Sequence, residues 1–124
     1  MLADQPFVGF VLITDPARAK AFYCDVLGLA VVHEDPSAVV VDVNGASLRM
    51  AIVSNVPEPA GTNIGWDVAD VNATAAELAA RGVVFERFDG MDHDDVGVWT
   101  SPGGAGVAWF RDPDGNRLSI TQSP

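Results

Sequence analysis

The sequence predicts an α+β fold in which one βαβββ-like unit is used twice. In each half, an aspartate at the N-cap position begins a helix, and a glycine ends that helix after almost the same number of residues. Each half then contains an Asn-Gly or Asp-Gly pair, which is typical of a hairpin turn. The landmarks of the first half are Asp15, Gly28 and Asn44-Gly45, and those of the second half are Asp70, Gly82 and Asp114-Gly115.

The first unit is predicted to span residues 7–53. An apolar, β-rich run precedes Asp15, and Pro16 suits the first helical position because its fixed φ is compatible with a helix. Phe22, Val26 and Leu27 are expected to form the buried side of this helix. The predicted elements are a strand at 7–13, a helix from 15 to 27, a strand at 29–33 and a hairpin of strands at 38–43 and 47–53.

The second unit is predicted to span residues 63–121, after a proline- and glycine-containing linker at 54–62. The two units together form a single domain, 1–124. The acidic segment 89–95 is expected to be a loop. The other predicted elements are a strand at 63–68, a helix from 70 to 81, a strand at 83–88, a short strand at 96–100 and a hairpin of strands at 106–111 and 117–121.

The excess of acidic residues limits the partners that the protein could have. The 124 residues include 17 acidic and 7 basic ones, which gives a formal net charge of −10. Such a surface repels phosphate backbones and anionic membranes, so we expect neither a nucleic-acid nor a membrane partner. The apolar runs are shorter than a membrane span, and residues 1–6 lack the basic start of a signal peptide. The single cysteine, Cys24, fits a reducing compartment, and we expect a cytoplasmic protein.

Two segments at opposite ends of the chain resemble a known superfamily. The segment 15–29, with Phe22-Tyr23 and Leu27-Gly28-Leu29, is similar to the "D…FY…LGL" signature of vicinal-oxygen-chelate proteins. The run 110–120, with Asp112-Pro113-Asp114-Gly115-Asn116, resembles the closing hairpin of the same superfamily. The resemblance implies that each unit curls its sheet into a half-barrel with the helices outside. The half-barrels would enclose a cavity, within one chain or across a homodimer.

The resemblance also implies where a metal ion would be bound. Metal-dependent members take ligands from the first and the last strand of each unit, usually His, Gln or Glu. Valine has no ligand atom, a guanidinium is a cation without an acceptor, and asparagine and serine alone are weak ligands. We therefore expect no metal and no cofactor. The four corresponding positions are Val8, Arg49, Asn63 and Ser119.

Strand alternation predicts which side chains share a face with those four positions. The opposite parity is apolar and suits packing under the helices, whereas this face is mixed and polar. Arg49 has two open interpretations: it anchors an anionic group of a ligand, or it forms a salt bridge with Asp67. Trp99 and Trp109 also have two open interpretations, an aromatic wall of the cavity or plain core packing, and Trp66 is expected in the core. The predicted ligand-binding residues are Phe10, Arg49, Asn63, Asp67, Trp99, Trp109 and Ser119.

Three further candidates are weaker. The run Met91-Asp92-His93-Asp94-Asp95 matches no metal-binding template, and a solvated acidic loop, which could act as a lid, is the better interpretation. His33 is expected at the surface. Cys24 has no histidine nearby in sequence, so we expect a buried, unreactive thiol.

Two functions from different classes fit this pattern. The first is metal-independent binding of a small molecule, similar in kind to the bleomycin-resistance proteins, which would sequester an antibiotic or a metabolite. The second is lyase, isomerase or epimerase chemistry on a small carbonyl or carboxylate substrate. In the second case Arg49 would stabilise an enolate, and Asp67, Asp94 or His93 would move a proton. The sequence identifies no catalytic residue firmly.

Overall fold

Two four-stranded sheets form the framework of the protein, one in residues 1–57 and one in residues 58–124. A computed structural model describes all 124 residues. In each sheet the first and the last strand of the unit pair in parallel, and the remaining neighbours are antiparallel. This arrangement is the predicted α+β fold of two related units with open, curled sheets.

The first unit contains four strands in the spatial order β1-β4-β3-β2. A short 3-10 turn, Leu2–Asp4, precedes the sheet. A β-bulge between Val31 and His33 interrupts the pairing of β2 with β3. The elements are β1 (Val8–Ile13), α1 (Pro16–Lys20, continued by a π-helical segment, Ala21–Val26), β2 (Ala30–Asp35), β3 (Ala38–Val43) and β4 (Ala46–Ile52).

Helix α1 begins where the sequence predicted and then widens into a π-helix. The Asp15 carboxylate accepts hydrogen bonds from the Ala17 and Arg18 N–H groups, at 3.0 and 3.2 Å. The expected buried side, Phe22, Val26 and Leu27, was wrong, because these residues are only half-buried. Tyr23 is fully buried instead. The wider turn shifts the helical phase, so the 3.6-residue period fails after Lys20.

The second unit repeats the topology, with the strand order β5-β8-β7-β6. The Asp70 carboxylate caps α2 by accepting the Ala73 N–H at 3.0 Å. No helix in the protein is long and apolar enough to cross a membrane. The elements are β5 (Ile64–Asp67), α2 (Val71–Ala80), β6 (Trp99–Thr100), β7 (Gly106–Arg111) and β8 (Arg117–Gln122).

Two strand predictions in the second unit were wrong. Residues 83–88 form only an isolated bridge, between Phe85 and Phe110, beside which the Glu86 N–H donates to the Trp109 carbonyl at 2.8 Å. At the end of the segment the Phe88 N–H donates to the His93 ring and not to a neighbouring strand. The predicted strand 96–100 is reduced to the two residues of β6. The Asp94 carboxylate accepts hydrogen bonds from the Val96 and Val98 N–H groups. These two donors are therefore not available for pairing with a neighbouring strand.

The core lies on one face of each sheet, as strand alternation predicts. In the second unit, α2 packs on β7 and β8 over this face. Trp66 belongs to the same face but is only half-buried. The buried residues of these faces are Val11, Ile13, Val39, Val41, Leu48 and Met50 in the first unit and Ala108, Phe110, Leu118 and Ile120 in the second. On the opposite faces Ala38, Val40 and Ser119 are buried as well. We call the opposite faces the first open face and the second open face.

Gly65 and Gly9 lie in the first strands of their units and offer a matched test of packing. A Cβ atom on Gly65 would collide with the Ser119 Oγ atom, whereas a Cβ on Gly9 would contact Leu48 at an ordinary 3.7 Å. Gly65→Ala should therefore lower the free energy of unfolding by about 1–3 kcal/mol. Gly9→Ala should be neutral or stabilising by less than about 1 kcal/mol.

Urea denaturation of both variants measures this difference. The double variant Gly65→Ala/Ser119→Gly should recover part of the loss, because it removes the colliding hydroxyl. Equal stabilities for Gly65→Ala and Gly9→Ala would contradict the close approach of β5 to β8.

Candidate functional site

The first open face carries the unit's share of the predicted site. The register places Phe10 beside Arg49, and Arg49 beside Val40 on the next strand. Phe10 is 61% exposed, while Arg49 is half-buried. Val8 and Leu12, the neighbours of Phe10 on this face, are also exposed. A guanidinium group thus lies within a largely apolar sheet face.

Arg49 has no partner for its charge within its unit. Its side chain forms no hydrogen bond and no ion pair there, and Asp67 likewise forms none within the second unit. A half-buried guanidinium without a carboxylate or carbonyl partner is unfavourable relative to a paired one. The salt bridge between Arg49 and Asp67 stays a prediction, as does the role of Arg49 as an anchor for an anion.

The second open face brings together most of the predicted residues of its unit. Trp109 lies opposite Ser119, which lies opposite Gly65. The adjacent cross-strand row contains Asp67, Thr121, Val107 and Trp99. Asn63 lies at the edge, where its side-chain oxygen accepts the Arg117 N–H at 2.8 Å, so this residue has a structural role.

An aromatic patch covers the centre of this face. The Trp109 ring lies 6.0 Å from Trp99 and 5.5 Å from Phe88, in a tilted and an edge-to-face arrangement respectively. The Trp109 indole N–H donates to the Thr62 hydroxyl at 3.1 Å, which fixes the orientation of the ring. Both tryptophans remain partly exposed. We define the aromatic patch as Phe88, Trp99 and Trp109.

His93 supports the patch from the loop 89–95 and has no free ring nitrogen. The Phe88 N–H donates to its Nε2 at 3.1 Å, so Nε2 is an acceptor and the ring proton is on Nδ1. That Nδ1–H donates to the Gly97 carbonyl at 2.9 Å. The ring also lies 6.4 Å from Trp109. His93 would have to break one of these bonds to bind a metal ion or to accept a substrate proton.

Asp94 has a structural task of the same kind. Burial would raise its pKa, but hydrogen bonds from Val98, Asn72 and Val96 outweigh this and hold the pKa below its ordinary value. The carboxylate organises the loop, and an open groove of about 560 Å³ lies beside it. Asp92, Trp99 and Thr100 also line the groove. Internal hydrogen bonds to Asp94 therefore hold the loop in place.

Four charged side chains form a cluster next to the aromatic patch. Glu86 contacts the Nε atoms of Arg117 at 2.9 Å and of Arg111 at 3.2 Å. Arg111 reaches Glu58 through Nη2 at 2.6 Å. Arg117 also lies over the Phe88 ring, with Cζ 5.4 Å from the centroid, as in a cation–π contact. We call Glu58, Glu86, Arg111 and Arg117 the charged cluster.

The two carboxylates of the cluster differ in burial, and the causes of their pKa shifts differ accordingly. Burial would raise the pKa of Glu86, but hydrogen bonds and charge from Arg117 and Arg111 overcome this and lower the pKa. The side chain of Glu86 is 22% exposed. Glu58 is 72% exposed, and its pKa is lowered mainly by its hydrogen bond to Arg111. Glu86 is thus the central carboxylate, and Glu58 is peripheral.

The positions that the superfamily uses for a metal ion do not fit one. Val8 offers no ligand atom, and Arg49 brings positive charge to the first open face. On the second open face, Asn63 already uses its oxygen for Arg117, and Ser119 is buried, with its hydroxyl in the space that a Cβ atom on Gly65 would need. No group of three or more His, Cys, Asp or Glu side chains is arranged so that it could hold a metal ion. The donor set is therefore unsuited to a divalent ion.

Two other candidates have surface or inert settings. His33 is exposed and contacts the Asp35 carboxylate at 2.8 Å. Cys24 is half-buried, and both burial and the charge of Asp25 raise the pKa of its thiol, which makes it less reactive.

Sequence reasoning missed Phe88, Glu86, Arg111 and Glu58 as site residues. The signal for Arg111 was available, because it follows Trp109 by one alternation on the same strand. Phe88 and Glu86 were hidden because the segment was expected to be a regular strand. Glu58 lies in the predicted linker, where no periodicity applies.

Comparisons with known proteins agree with this architecture. The family model described as Glyoxalase/Bleomycin resistance protein/Dioxygenase superfamily matches residues 7–120. No curated protein matches the chain. A superfamily member from Sphaerobacter thermophilus superposes with a TM-score of 0.76 at 22% identity, covering 99% of this chain and 100% of that one.

Two further solved structures share the fold and differ in their described roles. One is an antibiotic binding protein from a Streptomyces species, with a TM-score of 0.74, 24% identity and coverage of 100% of this chain and 99% of that one. The other is a lactoylglutathione lyase from Agrobacterium tumefaciens, with a TM-score of 0.73, 19% identity and coverage of 96% and 93%. At these identities the likeness shows the fold alone.

Glu86→Gln should destabilise the second unit. The two guanidinium groups would lose their shared carboxylate, and we expect a loss of about 1–3 kcal/mol in the free energy of unfolding, measured by urea denaturation at pH 7. Because the folded-state pKa of Glu86 is lowered, its stabilisation is present above its unfolded pKa of about 4.3. The stabilisation is lost as the pH falls through the folded-state value, and the two proteins should converge there.

Glu77→Gln is the control for this measurement. Glu77 pairs with Arg81 at the exposed end of α2, at 3.0 Å. The substitution Glu77→Gln removes the same charge as Glu86→Gln. Its loss should stay below about 0.5 kcal/mol. A Glu86→Gln variant as stable as Glu77→Gln would contradict a central role for Glu86.

Proposed function

The chain belongs to the glyoxalase/bleomycin resistance protein/dioxygenase superfamily, and from this premise we propose that it binds a small planar organic molecule without a metal ion. The observation that carries the proposal is the aromatic patch on the second open face, where Trp99 and Trp109 are partly exposed. Sequestration of an antibiotic or a metabolite through such binding is part of the proposal.

The patch has the features of a binding wall. Its central ring is held by the Thr62 hydroxyl and by Phe88, so a ligand would meet a surface that is already ordered. Flat aromatic surfaces bordered by a few polar groups are typical of small-molecule sites. Here the polar border consists of Thr121 and Asp67 on one side and the charged cluster on the other.

Arg49 is proposed as a second contact for ligand, on the first open face. It is half-buried and unpaired in its unit, and Phe10 beside it offers an exposed ring. An anionic group would satisfy the guanidinium through charge-assisted hydrogen bonds. This part of the proposal is independent of the aromatic patch and is tested separately.

The alternative function is lyase, isomerase or epimerase chemistry, which requires a group that carries a proton. Both ring nitrogens of His93 are engaged, and Asp94 accepts several hydrogen bonds. Asp67 is the exposed carboxylate that remains on the second open face. Because two of the three proposed proton carriers have structural tasks, metal-free binding is the better-supported function.

Two further parts of the proposal rest on the superfamily resemblance. We propose a homodimer, whose mass analytical ultracentrifugation would report, and exposed apolar side chains such as Phe10 and Val8 are compatible with one. We also propose a cytoplasmic location, which fractionation of the host cells would test.

Trp109→Leu and Trp99→Leu should each weaken binding of a neutral planar probe, 2-naphthamide, about tenfold, because each removes a stacking surface. Isothermal titration calorimetry measures the dissociation constant. Trp66→Leu is the matched control, since Trp66 lies on the packed face and should leave the constant unchanged. Unchanged binding in both patch variants, or no binding of any planar probe to the native protein, would contradict the proposal.

Arg49→Met should keep or slightly raise the stability of the protein, by up to about 1 kcal/mol, because an unpaired guanidinium is replaced by an apolar chain of similar length. It should also abolish any preference for anionic ligands that depends on the first open face. Thermal denaturation with and without a panel of small carboxylates measures both effects. A large loss of stability would show that the guanidinium has a partner, and equal ligand shifts in both proteins would rule out the anchor.

A further inference from the structure

The two carboxylates of the charged cluster are held very differently. Glu86 is shared between two arginines and is mostly covered, whereas Glu58 is 72% exposed and contacts Arg111 alone. Glu58 also lies outside any helix or strand, in the segment between β4 and β5. Exposed ion pairs contribute little stability, because water and side-chain freedom compete with them. Glu58 can therefore be replaced on Arg111 at small cost, and Glu86 cannot.

Removal of Glu58 leaves the cluster with an excess of positive charge. Two guanidinium groups would then face one carboxylate, in a chain whose formal net charge is −10. Nε of Arg111 is used by Glu86 and Nη1 donates to the Gly115 carbonyl at 3.0 Å. Only the Nη2 edge, at present taken by Glu58, is offered to another acceptor.

The charged cluster and the aromatic patch are continuous. Arg117 lies over Phe88, at 5.4 Å, and Phe88 contacts Trp109, at 5.5 Å between ring centroids. Arg111 and Arg117 form the cross-strand pair that follows the pair of Trp109 and Ser119 on the same face. A planar ligand stacked on the patch could thus extend an attached anionic group toward Arg111.

We propose that the ligand of this site is a planar aromatic carboxylate, that Arg111 binds its carboxylate through Nη2, and that Glu58 is an internal competitor for that position. Glu58 pairs with Arg111 in the absence of ligand, and the ligand carboxylate displaces Glu58 from Arg111 on binding. This inference rests on the proposed function, because it assigns the chemical class of the molecule that the aromatic patch binds.

The test compares 2-naphthoate with its neutral isostere, 2-naphthamide, by isothermal titration calorimetry. Glu58→Gln should tighten binding of 2-naphthoate about fivefold, the effect of removing one weak exposed ion pair, and should leave 2-naphthamide unchanged. Raising the salt concentration should reduce the gain. Arg111→Gln should abolish the preference for 2-naphthoate. If the glutamine variant fails to fold, Arg111→Lys, which keeps the charge but lacks the Nη2 donor, should reduce the preference, and an unchanged preference would overturn the role of Nη2.

Glu77→Gln is the matched control, because it removes the same charge from an exposed ion pair on α2. It should leave both dissociation constants unchanged. If Glu58→Gln and Glu77→Gln tightened the binding of 2-naphthoate equally, the effect would come from the change in net charge alone. That result would overturn the inference. So would a cationic probe, 2-naphthylmethylamine, that binds more tightly than 2-naphthoate.

The two proposals fail in different ways. If both naphthyl probes bind and depend on Trp109, but Glu58→Gln does not alter the binding of 2-naphthoate, the aromatic site stands and the competitor role of Glu58 is wrong. If neither probe binds, or binding ignores Trp109 and Trp99, the proposed function itself is wrong.

Discussion

Each sheet of this protein has one helix-bearing connection and four strands, so only one of its faces can be packed within the unit. Strand alternation sends Val11, Leu48 and Met50 to the packed face of the first sheet, and Phe110, Leu118 and Ile120 to that of the second. The other face must then be stable without a helix over it. The composition of the open faces, and therefore the candidate site, follows from this constraint.

The second open face meets the constraint with short-range polar bonds and aromatic contacts. Glu86 neutralises Arg111 and Arg117, while Thr62 and Phe88 hold the Trp109 ring. Neither arrangement requires a bound ion. Asn63 and Ser119 occupy two of the positions that the superfamily uses for metal ligands. The Asn63 side-chain oxygen accepts the Arg117 N–H instead, and Ser119 packs beside Gly65. The centre of the face is thus held by several contacts, whereas Glu58 at its rim is exposed and contacts Arg111 alone.

The sequence predicted most elements because their signals are local. Asp15 and Asp70 cap their helices as expected, and Asn44-Gly45 turns the first hairpin, where Asn44 adopts a positive φ of 49°. The two strand predictions in the second unit failed where a side chain competes with the backbone. His93 takes the Phe88 N–H, and Asp94 takes two N–H groups that a strand would have used, so 83–88 and 96–98 are irregular.

By itself the sequence determined the repeated unit and the alternation of faces, because each depends on residue type and period alone. The unsuitable ligand set at Val8, Arg49, Asn63 and Ser119 was also predicted, but only because the superfamily resemblance indicates those positions. Tertiary structure decided which charges meet. The pairing of Glu58 with Arg111 joins residues that are distant in sequence, as does that of Glu86 with Arg117. No periodicity encodes such contacts, since they depend on how the loops 54–63 and 81–98 fold back onto β7 and β8.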